Sequence, residues 1–138
     1  MAGYSGTPLW KKLGIKDQSE IYLSGEPNDY LELIAPLPRG VRFVPRLTRN
    51  TDLVHIFATE KMRLARQLSA ALSKLKPDGV IWVSWPKRSS RVPTDITEDA
   101  IRDVALPIGL VDIKVCAVDE TWSGLKLMIR KENRRKRV

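Results

Sequence analysis

Apolar positions in this chain fall into short runs broken by proline, glycine and polar residues, with one longer stretch at helical spacing. Glu20-Ile21-Tyr22-Leu23-Ser24, Val41-Arg42-Phe43-Val44, Asp52-Leu53-Val54-His55-Ile56-Phe57 and Val80-Ile81-Trp82-Val83-Ser84-Trp85 read as strands. The last two are nearly continuous in apolar character, as parallel strands covered on both faces are. Between them, Glu60 to Leu75 places Leu64, Leu68, Leu72 and Leu75, with Ala65 and Ala71, on one helical face. Lys61, Arg63, Arg66, Lys74 and Lys76 take its solvated side and C-terminal end. A shorter helix runs from Asn28 to Ala35, with Pro27 at its start and Pro36 and Pro38 ending it. Another begins after Thr97, carries Glu98 and Asp99 in its first turn where the helix dipole favours acids, and runs to about Pro107. Gly109 leads into a strand over Leu110 to Val118, and Asp119-Glu120 turns the chain into a last strand, Thr121 to Arg130. At the other end, Thr7 and Pro8 start a short helix with Leu9, Trp10 and Leu13 as its apolar face, and Gly14 stops it. Residues 1–17 are thus expected to be an arm packed on the rest.

Helical crossovers between strands imply a mainly parallel sheet, and the tight final turn implies an antiparallel last strand. Right-handed crossovers then give a three-layer, doubly wound α/β fold. The expected organisation is a single α/β domain over residues 1–130 and a basic tail over 131–138.

Composition narrows the function classes. One cysteine, Cys116, excludes an internal disulfide, and with a single histidine it leaves no Cys/His zinc set within one chain. No metal is expected. A reducing, cytoplasmic setting follows from the cysteine usage and from the lack of a signal-like apolar run in residues 1–20. No apolar stretch approaches the ~20 residues a membrane-spanning helix needs, so no membrane partner is expected. The net charge of +8 is uneven: Arg130 to Val138 holds six Lys/Arg against one Glu, so the rest of the chain carries only +3. Any nucleic-acid contact is therefore assigned to Arg134, Arg135, Lys136 and Arg137, whose phosphate contacts would be salt-dependent. No aromatic residue is interleaved there to stack on bases, and a solvated, frayed terminus is the plainer reading.

Several segments carry a family resemblance. Asp52 to Phe57, the step Leu72 to Val83 with its Lys76-Pro77-Asp78-Gly79 turn, and Gly109-Leu110-Val111-Asp112 running to a hairpin centred on Trp122 resemble the back half of class I methyltransferases. Gly3-Tyr4-Ser5-Gly6-Thr7-Pro8-Leu9, Trp82-Val83-Ser84-Trp85-Pro86-Lys87, Thr94-Asp95-Ile96-Thr97-Glu98 and Val115 to Lys126 are similar to a bacterial family known only as domain of unknown function 3052. The resemblance implies a methyltransferase-like, truncated Rossmann scaffold in a bacterial, cytosolic protein, and imports no activity. It also implies where the chain departs. A glycine fingerprint is replaced by Ser24-Gly25-Glu26-Pro27-Asn28-Asp29, and the second strand ends at Val44-Pro45-Arg46 in place of a ribose-binding acid. Amino-methylating relatives carry a polar acceptor before prolines in their catalytic strand-end loop, where this chain offers Ser84-Trp85-Pro86. No bound cofactor is expected.

In open α/β sheets, ligands bind beyond the carboxyl ends of the strands. That edge collects Ser24, Gly25, Glu26 and Asn28 from the first strand, Phe57 and Thr59 from the third, and Ser84, Trp85 and Lys87 from the fourth, a candidate small-molecule pocket. The same residues also read as ordinary turn and cap positions. His55 reads as a satisfied core histidine, since the sequence identifies no partner for a general base. Strict alternation would put Asp112, Lys114 and Cys116 on one face, where a lysine lowers a thiol pKa, against the plainer reading of a small buried cysteine. Asp95, Glu98 and Asp99 read as helix-start acids.

No catalytic constellation emerges. The expected function is a non-catalytic binding or regulatory module on a methyltransferase-like scaffold. The alternatives are a small S-adenosylmethionine-dependent methyltransferase with an atypical cofactor loop, and a nucleic-acid-associated protein using the tail.

Overall fold

The computed structural model describes residues 6–136, with side chains through residue 134. The Gly3-Tyr4-Ser5 motif, Arg137 and the side chains of Arg135 and Lys136 lie outside the described residues.

The elements follow the hydrophobic pattern closely. They are α1 (Leu9–Leu13), β1 (Glu20–Ser24), α2 (Tyr30–Ile34), β2 (Arg42–Val44), β3 (Leu53–Phe57), α3 (Lys61–Lys74), β4 (Val80–Pro86), α4 (Glu98–Ala105), β5 (Leu110–Ala117) and β6 (Trp122–Ile129). Short 3-10 turns follow β4 (Arg88–Ser90), α4 (Leu106–Ile108) and β6 (Lys131–Lys136). Helix α1 starts one residue later than Pro8 would allow, because Pro8 sits outside it with extended backbone and serves as the cap. Helix α4 starts as expected, with Thr97 accepting a hydrogen bond from the Ala100 amide. Helix α3 has no cap of its own: Asp95, distant in sequence, accepts from the Lys61 amide at 2.7 Å.

The six strands form one sheet in the order β2-β1-β3-β4-β6-β5. Strands β2, β1, β3 and β4 are parallel, while β6 runs antiparallel to both β4 and β5. The final strand therefore inserts between β4 and β5, and β5 points the same way as β4. Two cores result, one on each face. On one, α3 and α4 cover Val54, Ile56, Ile81, Val83, Leu125 and Leu127. On the other, Leu13 and Ile15 from the arm and Tyr30 and Ile34 from α2 cover Ile21, Leu53, Phe57 and Trp82. The arm is fixed by the buried Trp82 indole, whose Nε1 donates to the Leu13 carbonyl at 2.9 Å.

Strict alternation fails on β5. A bulge between Asp112 and Lys114 opposes two residues to one. Asp112 pairs with Leu127 and bonds Arg102 of α4, whereas Lys114 and Cys116 pair with Lys126 and Gly124 toward the opposite layer. The expected shared face of Asp112, Lys114 and Cys116 is thus split.

Candidate functional site

The carboxyl ends of β1, β3 and β4 meet where the expected pocket lies. After β1 the chain turns at Gly25 with φ +71°, and a Cβ there would stand 2.6 Å from the Phe57 carbonyl oxygen. Only glycine permits both that left-handed backbone and that approach. The turn therefore lies directly on the end of β3.

Beneath it, side chains from three elements join in a buried network. The Tyr30 hydroxyl is 2.8 Å from His55 Nδ1, and His55 Nε2 is 2.7 Å from Ser84 Oγ. All three residues are buried, His55 and Ser84 completely. Burial pushes the His55 pKa down to about 3, so the imidazole is neutral near pH 7 and carries one N–H. One ring nitrogen donates and the other accepts, which matches a hydroxyl on each side. Burial, and secondarily the Glu26 charge, hold the Tyr30 phenol well above its usual value. Phe57 stacks on His55 at 4.4 Å between ring centres, and Tyr30 and Trp122 meet Phe57 edge-on at 5.6 and 5.0 Å. The layer between the first turn and the final hairpin is thus packed with rings.

The nine expected pocket residues consequently separate. Ser24, Gly25, Phe57 and Thr59 line a small cleft of about 60 Å³ with Arg63 and Gln67 of α3. Gln67 closes it by donating from Nε2 to Ser24 Oγ at 2.8 Å. Ser84 lies wholly in the core, turned to His55. Glu26 and Asn28 are exposed on the turn, outside the lining of this cleft.

Trp85 and Lys87 line a different and larger cleft, of about 540 Å³. Trp85 points to the opposite face from Ser84 and packs half-buried against the α3/α4 core. The chain then rises through Lys87, whose amide donates to the Thr121 carbonyl at 2.7 Å, into the 3-10 turn Arg88–Ser90. Arg91 closes that turn in the left-handed region, φ +60°. Ile96, Thr97 and Glu98, at the start of α4, form the facing wall. Glu98 is engaged by Arg102, which also bonds Asp99 and Asp112. Lys87, Arg88 and Arg91 form no ion pair among the described residues. The sequence places these three cations in one polar loop, Pro86 to Pro93, whereas the return of Ile96 to Glu98 across Trp85 depends on where α4 docks.

The remaining candidates are structural in their surroundings. Burial raises the Cys116 thiol pKa and outweighs the opposing charges of Lys12 and Lys114. Asp119 accepts from the Thr121 and Trp122 amides and shapes the hairpin turn. Arg134 folds back, donating from Nε to the Ile129 carbonyl at 2.9 Å. Among the described residues, no group of His, Cys, Asp and Glu is placed to hold a metal ion, and no helix is long and apolar enough to cross a membrane.

Comparison with solved structures confirms the methyltransferase-like Rossmann architecture. A SAM-dependent methyltransferase from Aquifex aeolicus superposes with a TM-score of 0.61 at 13% identity, covering 88% of this chain and 87% of that one. A putative methyltransferase from Thermoplasma acidophilum gives 0.56 at 9% identity, over 95% and 77%. The M1A22 tRNA methyltransferase TrmK of B. subtilis gives 0.56 at 12%, over 90% and 66%. Identities this low speak to fold alone. Comparison with curated proteins returns no match. Residues 49–131, more than half of the 138, match the family described as "Protein of unknown function (DUF3052)", and the chain belongs to that family.

Proposed function

We propose that this chain is a non-catalytic binding module that keeps the methyltransferase-like scaffold and has closed its cofactor crevice with its own side chains. The observation that carries this reading is the contact of Gly25 with the Phe57 carbonyl above the packed rings of Tyr30, His55, Phe57 and Trp122. The fold implies S-adenosylmethionine, and the residues present do not fit it. Small-molecule sites commonly enclose about 300–1,000 Å³, whereas the cleft beside Gly25 holds about 60 Å³. The second strand ends at Val44-Pro45-Arg46 and offers no acid to a ribose. The one buried imidazole is enclosed by Tyr30 and Ser84 and reaches no solvent, so it has no substrate proton to take.

Thermal unfolding with and without S-adenosylmethionine and its demethylated product tests the reading. A ligand at a hundred times its Kd adds about 2.7 kcal/mol to a folded protein and shifts Tm by several degrees. The expected Tm is unchanged at millimolar ligand. A rise of several degrees would overturn the reading and favour methyl transfer with an atypical cofactor loop.

A further inference from the structure

From the cleft beyond β4 we infer a site for a nucleotide, that is, a flat heterocycle carrying phosphate. The inference rests on the reading of the chain as a binding module and assigns that module its ligand class. Three observations converge. The cleft holds about 540 Å³, within the range of small-molecule sites. Lys87, Arg88 and Arg91 rim it without forming an ion pair among the described residues, while its one carboxylate, Glu98, is held by Arg102. Part of its wall is Trp85, which packs against the core and stays partly exposed.

Each component has a chemical counterpart. Guanidinium groups present paired N–H donors that match phosphate oxygens, and a lysine adds a point charge. An indole face offers stacking to any base, sharpened by its rigidity. Val92 and Pro93, both exposed, extend the apolar part of the surface. An inorganic anion would use the cations and leave Trp85 idle. A neutral ring would stack on Trp85 and leave three unpaired cations.

The test is calorimetric titration of the full chain with adenosine and guanosine triphosphates, the matching nucleosides, inorganic triphosphate and a short single-stranded oligonucleotide. The expected result is saturable one-site binding of a nucleotide, with the nucleoside and inorganic triphosphate each weaker. Trp85→Leu and Arg91→Gly should each weaken it about tenfold, the loss expected for one stacking or one charge-assisted contact. Glycine suits the backbone of position 91, so that variant removes the guanidinium without straining the turn. Arg63→Ala, on the far cleft, should bind as the parent does. If Trp85→Leu fails to fold, Arg91→Gly and the comparison with inorganic triphosphate still decide. Absence of nucleotide binding by folded parent protein would overturn the inference. So would inorganic triphosphate binding as tightly as nucleotide, which would mark an anion patch, or binding of the oligonucleotide alone, which would mark a nucleic-acid surface. A parallel titration of parent and Trp85→Leu with S-adenosylmethionine keeps the two failures distinguishable: binding that survives Trp85→Leu would refute the closed crevice instead.

Discussion

Tyr30 and His55 are joined by a 2.8 Å hydrogen bond that ties the helix after β1 to the centre of the sheet. His55 passes the connection on to Ser84, so three elements, α2, β3 and β4, are tied through one neutral ring. Removing the phenol hydroxyl in Tyr30→Phe leaves a buried ring nitrogen without its partner, at a cost of about 1–3 kcal/mol. Denaturant unfolding should show a lower midpoint with an unchanged slope. An unchanged midpoint would mean that the bond contributes little.

The same ring makes stability depend on pH. Its folded pKa, about 3, lies below the ordinary histidine value, so the unfolded chain binds the proton more readily. The stabilisation is complete above about pH 6.5 and is lost progressively as pH falls toward 3. Unfolding free energy should therefore rise between pH 4 and pH 7, beyond what the carboxylates contribute. His55→Gln removes the titrating group and should flatten the upper part of that rise. A parent and variant with parallel pH profiles would contradict the buried neutral imidazole.

Gly25 should tolerate no side chain. Gly25→Ala meets both a left-handed backbone and the Phe57 carbonyl, and is expected to cost about 1–3 kcal/mol. Gly25→Asn separates the two causes, because asparagine tolerates the left-handed region yet still carries the offending Cβ. Asparagine destabilising as alanine does would place the cause in packing, which is the predicted result; full recovery would place it in the backbone alone.

Lys114 and Lys126 face one another directly across β5 and β6, an unfavourable pairing of like charges. Burial first, then Lys114 and Lys16, hold the Lys126 pKa below its usual value. Lys114→Glu converts the pair to opposite charges and should stabilise by about 0.2–1 kcal/mol. The gain, read by thermal unfolding, should shrink at high salt.

Much of the fold was legible because its strands are nearly unbroken apolar runs and α3 repeats leucine at helical spacing. The position of β6 was not, since a tight turn says that two strands are antiparallel and not which neighbour the second one takes next. The β5 bulge was equally silent: Ile113 is an ordinary strand residue, and its extra count appears only against β6. At the candidate site, the apolar run of β3 marks His55 as a core residue, yet its partners lie 25 and 29 positions away. Ser84 looked like a pocket-edge residue because it precedes a loop. Two-residue alternation with the buried Trp82 was the available sign that it faces inward. The division of the expected pocket into a small cleft and a large one follows from the collapse of the Gly25 turn onto Phe57, a contact with no local signature.

Calorimetric titration with S-adenosylmethionine and its demethylated product tests the closed crevice most directly. The predicted result is no saturable heat from protein shown to be folded. Saturable micromolar binding, lost when Glu26 or Asn28 is changed, would mean that the turn opens and that the crevice still serves a cofactor.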